Sequence, residues 1–251
     1  MMTTMRGGPP MPSNSSRAFR ACFRKEWLCE FRSKQGIFLS ALFGFMSMAA
    51  VSFSTSNQTP SPMLAGGLFT LITLFTAMTA VPRLYIAEEE QGTFDLVRQW
   101  GNCGATWLGK ATFAILHQGS TGLILGIIFT GIINLPVSNW PIYLLSTTLL
   151  SIAAANVLSL TSSLVITANN RWVLATVVAL PLLFPLLFLG IGSIRVAFGE
   201  GSIEKAFQSI AAIVAYAVIP LGIGPSMAES LWRERRDPSQ PANPKQNKGG
   251  K

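Results

Sequence analysis

The chain has 251 residues, 49% of them hydrophobic and 12% charged, with a mean hydropathy of +0.43 and a formal net charge of +8. A soluble globule carries about 25% charged residues, so this composition excludes one and points to a membrane protein. The excess Lys and Arg lie in terminal segments and short connections between apolar runs, where anionic lipid and membrane topology explain them without a nucleic-acid partner.

In chain order, residues 1–16, "MMTTMRGGPPMPSNSS", are rich in Gly, Pro and Ser and are expected to be disordered. From residue 17 to 36 the pattern changes. Phe19, Phe23, Trp27 and Phe31 recur every fourth residue while Arg20, Arg24, Lys25 and Arg32 occupy other positions, which predicts a basic amphipathic helix in the headgroup region. A simple basic topology anchor is the alternative, and the two are compatible. A cleavable signal is not expected, because the first apolar run begins only near Ile37, behind this basic region.

Six apolar runs of about 20 residues follow, each long enough to cross a bilayer core: Ile37–Phe53, Ala65–Ala80, Ala105–Ile133, Tyr143–Thr167, Trp172–Phe198 and Ala206–Met227. None shows the single polar face of a soluble core helix. They predict an all-α integral membrane protein whose transmembrane domain covers residues 37–232, with residues 233–251 as a disordered basic tail. Lys and Arg cluster before the first run (Arg6, Arg17, Arg20, Arg24, Lys25, Arg32, Lys34) and after the last (Arg233, Arg235, Arg236, Lys245, Lys248, Lys251). The loops "STSNQTPSPM" and "NLPVSNWP" carry no charge. Both termini are therefore expected to be cytoplasmic.

Between the second and third runs lies a segment, residues 83–104, that differs from its surroundings. Its "AEEEQGTFDLVRQW" holds four of the eleven acidic residues of the chain. Arg83 follows directly on the second run, and Glu88, Glu89 and Glu90 are expected in the first turns of a cytoplasmic helix, where the dipole favours carboxylates. Gly92 interrupts, and Phe94, Leu96, Val97 and Trp100 with Asp95 and Arg98 then form a piece able to dock in a groove on a soluble partner. A solvated acidic loop is the equal alternative on physics alone.

Within the spans, His117 is the one histidine of the chain, about 15 Å into the third span. An ionisable group at that depth is a functional candidate. The preferred reading is a neutral imidazole hydrogen-bonded between helices near Gln118, Ser120 or Thr121. Asn134 and Asn156 are expected to make interhelical hydrogen bonds. Pro181 and Pro185 each remove a backbone donor from the fifth span and are expected to kink it. Arg195, Glu200, Glu204 and Lys205 suggest a short amphipathic segment at the outer surface. Cys22, Cys29 and Cys103 form no CxxC pair or Cys/His cluster, so neither a disulfide framework nor a metal site is expected. No P-loop, GxGxxG, GxSxG or HExxH is present, so the chain is not read as a self-sufficient enzyme.

The whole pattern resembles the ABC-2 exporter permeases, and within them the haem exporter protein B (CcmB) family of cytochrome c maturation. The matching residues are Arg83, Leu84 and Tyr85, the acids ending at Glu90, then Gly92 and Asp95, with Lys110, the run "LPLLFPLLFLGIGS" from Leu180 to Ser193, and the opening "FRKEWLCEFRSK". The likeness covers about residues 17–230. One departure is "RQWGNCGATW", where the family commonly has prolines.

This resemblance implies a six-helix permease subunit that pairs as a homodimer with a CcmA-like ATPase, beside CcmC- and CcmD-like membrane proteins, and serves a CcmE-like haem chaperone. It implies that Arg83, Glu88, Glu89, Glu90, Gly92, Phe94, Asp95 and Trp100 meet the ATPase, and that ATP enters through that partner and drives either haem delivery or release of the haem-loaded chaperone, with haem as a possible substrate and His117 as the one candidate haem ligand. The expected place is a bacterial inner membrane, or the mitochondrial inner membrane. Two alternatives stand beside it: an ABC-2 permease exporting a lipid, polysaccharide or drug, and an ATP-independent carrier or scaffold. The absence of Asp and Glu from all six apolar cores weighs against a proton-coupled carrier.

Overall fold

The computed structural model describes residues 15–55, 58–94, 102–166 and 168–234, and every regular element among them is a helix. They are α1 (Ser15–Ser33), α2 (Gln35–Ser54), α3 (Pro62–Ala80), α4 (Arg83–Glu90), α5 (Cys103–Ile133), α6 (Trp140–Val165), α7 (Arg171–Ala197) and α8 (Ile203–Glu234). Six stretches are long and apolar enough to cross a membrane: α2, α3 running on through α4, α5, α6, α7 and α8. The chain is thus an all-α membrane protein. Four of the apolar runs read from the sequence lie inside these helices, while Tyr143–Thr167 runs past the end of α6 at Val165 and Trp172–Phe198 one residue past the end of α7 at Ala197.

The helix ends follow local chemistry. Lys34 adopts the left-handed conformation (φ 52°) and separates α1 from α2, so the predicted 17–36 helix ends three residues early. Gly36 is required just after it: a Cβ there would lie 2.6 Å from Glu30 Oε1, which accepts the Ile37 amide at 2.8 Å and so caps α2. Ser61, Asn102 and Asn139 cap α3, α5 and α6 by accepting the amide three residues on. Pro82, which has no N–H to offer, sits between α3 and α4 where no donor is needed. Asn134 is the C-cap of α5 at φ 53°, a conformation Asn tolerates. It therefore ends a helix, in place of the interhelical bond expected of it.

α6 is the central helix, packed against α3, α5, α7 and α8. Ala153, Ala154 and Ala155 are fully buried in it, and Gly122 of α5 lets the backbones approach so closely that an added Cβ would strike Ser151. Small residues at such contacts gain dispersion where lipid supplies no hydrophobic drive between helices. Asn156 makes the expected interhelical bond, its Nδ2 donating to the Ala217 carbonyl of α8 at 3.0 Å. α7 runs as one helix through Pro181 and Pro185, and the Tyr216 hydroxyl donates to the Leu182 carbonyl at 2.6 Å in that weakened stretch. α8 carries a second pair of internal prolines, Pro220 and Pro225, which the sequence reading passed over.

An even number of crossings brings α1, α4, the start of α5 and the end of α8 to one end of the bundle. Phe94 meets Trp232 there at 4.9 Å between ring centroids. At the opposite end Glu200 accepts the Met63 amide at 3.1 Å, binding the α7–α8 connection to the start of α3.

Candidate functional site at the acidic turn

α1 packs along the first third of α5. Gly109 makes this possible, since a Cβ on it would lie 2.9 Å from the Phe19 carbonyl oxygen and 3.0 Å from Cys22 Cβ. The face of α1 turned inward is Ala18, Cys22 and Glu26, one residue per helical turn. Phe23 and Trp27 reach round to Phe113 of α5 in edge-on contacts, while Trp27 and Phe31 stay half exposed. The amphipathic helix therefore has two functional faces, an aromatic one and a narrow inward one that carries a carboxylate.

That carboxylate meets a buried cation. Lys110 is fully buried, and its ammonium donates to Glu26 Oε1 at 2.7 Å and to the Leu84 carbonyl at 2.6 Å, and pairs with Glu88 Oε2 at 2.8 Å. Lys25 closes the group by pairing with both Glu26, at 3.0 Å, and Glu88. The Tyr85 ring lies under Lys110, 5.4 Å from the ammonium to the ring centroid. Four charges from α1, α4 and α5 thus form one neutral cluster. Burial works against the Glu26 carboxylate, but Lys110 and Lys25 beside it prevail and hold its pKa below the usual carboxylate range. Burial, and then Lys110, lower that of Lys25 against the pull of Glu26. Burial also pushes the Cys22 thiol up to about 11, so it is a packing residue rather than a reactive one.

The other two glutamates of the run are also engaged within the chain. Glu89 pairs with Arg171 at 3.6 Å, and Glu90 Oε1 accepts the Trp172 indole N–H at 2.6 Å. Both partners open α7. All three carboxylates fall in the last turn of α4 and not, as expected, in the first turns of a helix. The dipole disfavours them there, and the cations Lys25, Lys110 and Arg171 offset it. The reason lies at Gly92, whose φ of 67° turns the chain just past the helix end. Phe94 is fully buried and packs on Trp232, so its ring is an anchor to the bundle. Asp95 and Trp100, with residues 96–99 and 101, lie outside the described residues. Arg83 opens α4 and donates from Nη2 to Gln35 Oε1 of α2 at 2.9 Å.

His117 is separate from this cluster, one helical turn past Phe113 and stacked on it at 6.0 Å between centroids. The Ser120 and Thr121 hydroxyls bond to its backbone carbonyl rather than to the ring, and Nε2 is buried without a partner among the described residues. Sequence reasoning noted Lys110 only as the opening of a span and gave Glu26 no role. The pair is separated by 84 residues, so no local pattern could join them.

Among the described residues no group of three or more His, Cys, Asp or Glu side chains is placed to hold a metal. The charge cluster fixes a short helix, its terminal glycine turn and the amphipathic helix to one another. The family model described as CcmB protein matches residues 17–230, which spans the acidic turn, the buried cluster and all six long helices. No curated protein matches the chain.

Proposed function

Because the chain belongs to the CcmB family, haem-exporter permeases of cytochrome c maturation, we propose that it couples ATP hydrolysis by a CcmA-like partner to release of the haem-loaded chaperone. The partner meets the end of the bundle that carries α4, which on the distribution of Lys and Arg is the cytoplasmic end. One observation carries this reading. α4 and its Gly92 turn are tied to α1 and α5 through Lys110 and to the start of α7 through Glu89 and Glu90, so a push on the turn reaches three helices at once. A merely solvated acidic loop would have no need of three separate internal partners.

Phe94 serves as the inner anchor of the segment, and the residues after it, Asp95 to Trp100, supply the contact with the ATPase. Two copies of the chain with two of the ATPase would make the working unit, beside CcmC- and CcmD-like proteins and a CcmE-like chaperone. His117 stacks on Phe113 and is read as structural, with haem handled as substrate by the assembly. His117→Gln accordingly retains cytochrome c maturation in cells, and loss of maturation at normal protein level would restore the ligand reading.

The test is copurification from detergent-solubilised membranes, with Trp100→Ala and Asp95→Lys as variants. The wild type should retain an ATPase. Both variants should be inserted at normal levels, lose most of that ATPase and accumulate chaperone with haem still attached. Normal ATPase recovery with both would overturn the proposal.

A further inference from the structure

Beside the charge cluster a cleft of about 630 Å³ opens between the second half of α1, the start of α2 and α4. Its walls carry three carboxylates and three cations, so at first sight it selects no charge. The partners of each change that. Glu26 and Glu88 are bound to Lys110, which lies behind the wall, and to Lys25. The Glu30 carboxylate is held by the Ile37 amide at the positive end of α2. Arg32 and Arg83 remain. Neither has an ion-pair partner among the described residues, and Arg83 gives only one bond, to Gln35. Both line the cleft, one from the end of α1 and one from the start of α4.

The rest of the lining mixes apolar Ala80, Leu84 and Ala87 with polar Ser33, Gln35 and Thr93. Outside it, Trp27 and Phe31 of α1 and Ile37 and Phe38 of α2 are exposed by 43%, 52%, 38% and 68%. On a membrane protein these rings face acyl chains or the headgroup boundary. A free anion would use the guanidiniums and ignore this apolar rim. A guanidinium also grips phosphate through paired N–H donors in a way that ammonium does not.

We propose that this cleft binds the phosphate of an anionic phospholipid from the leaflet at the α1 end, clamped between Arg32 and Arg83, with its acyl chains lying along Phe31 and Phe38. The lipid thereby bridges the amphipathic helix to the acidic turn. This binding is independent of whether an ATPase docks at that turn.

The full chain, purified in mild detergent, is titrated with phosphatidylglycerol, with phosphatidylcholine of the same acyl chains, and with inorganic phosphate, and native mass spectrometry counts the lipid retained. One phosphatidylglycerol per chain should be held in preference to phosphatidylcholine. Arg32→Gln/Arg83→Gln should weaken retention roughly tenfold or more, as expected for loss of charge-assisted bonds, while Arg17→Gln/Arg20→Gln, on exposed α1 positions away from the cleft, should not. Equal loss in both double variants, no loss in the first, or equal holding of phosphatidylcholine would overturn the proposal. Displacement by millimolar inorganic phosphate would assign the site to free phosphate and overturn it as well. If the first double variant aggregates, Arg32→Gln alone decides, because that side chain makes no hydrogen bond or ion pair among the described residues and its loss should still cost about threefold in retention.

Discussion

Lys110 is the residue on which the geometry at the α4 end of the bundle turns. A fully buried ammonium held by Glu26, Glu88 and the Leu84 carbonyl contributes little net stability compared with an apolar group of the same shape, yet removing it alone leaves two buried carboxylates with only the partly exposed Lys25 between them. Lys110→Met should therefore destabilise the protein by about 3–5 kcal/mol, read as a fall in the thermal unfolding midpoint in detergent. Adding Glu26→Gln and Glu88→Gln to that variant should recover a large part of the loss. Single and triple variants of equal stability would show that the cluster is solvated and not coupled. This part of the site was the least legible in the sequence. The period-four aromatics from Phe19 to Phe31 announce a helix with an aromatic face, and the structure has one, but the same pattern gives no hint that Glu26, on another face, meets Lys110. Ion pairs across 84, 63 and 22 residues leave no periodic trace, whereas the helices themselves do.

The acidic run divides at the scale of elements. Its position in the sequence, between two spans and ahead of a glycine, was legible, but not which end of a helix it occupies. Gly92 was read as a break inside the segment and is instead the turn that closes α4, which puts Glu88 to Glu90 at the negative end of the dipole. The consequence is that the three glutamates should not behave alike. Glu88→Lys places a third cation beside Lys25 and Lys110 and should fail to accumulate as a monodisperse protein. Glu89→Lys/Glu90→Lys removes the part-buried pairing of Glu89 with Arg171 and the indole bond to Glu90 and should fold, at a cost of roughly 1–3 kcal/mol. Fluorescence-detected size exclusion of tagged variants separates the two, and equal profiles would refute the division. At Gly92 itself no atom lies within 4 Å of an added Cβ, so the backbone alone decides. Gly92→Ala should cost about 1–2 kcal/mol and Gly92→Asn less, while Gly92→Pro cannot reach a positive φ and should lose the turn. A ranking of ATPase coupling that departs from Asn, Ala, Pro would place the strain elsewhere.

Over the whole molecule the six crossings were readable from length and hydropathy alone, because a bilayer demands about 20 apolar residues of each. Which helix is central was not. α6 is no more apolar than its neighbours, but its small residues and self-bonded hydroxyls, such as Ser151 to the Thr147 carbonyl at 2.8 Å, let four helices close round it. The charge cluster gives the assembled molecule an acid limit. Glu26 has a lower pKa folded than unfolded, so the unfolded chain binds its proton first as the pH falls. The stabilisation it confers is complete above the ordinary carboxylate pKa and is lost as the pH drops through the lowered one. The unfolding midpoint should be flat with respect to this group near neutrality and fall below about pH 4.5, and Glu26→Gln should shrink that acid fall. An undiminished fall in the variant would assign it to other carboxylates.

The buried lysine also bears on how the chain enters the membrane. Synthesis proceeds from the N-terminus, so Glu26 and Glu88 have both left the ribosome before Lys110 does, and α1 is already made when α5 is offered to the bilayer. A lysine in a nascent span costs up to about 3 kcal/mol at mid-membrane and less near an end. Lys110, seven residues into α5 and about 10 Å from its start, never has to meet that cost alone, since its two counter-charges wait at the surface it must cross last. Were the order reversed, with the acids downstream, the third span would have to be inserted with an unpaired charge and hold its place until its partners arrived.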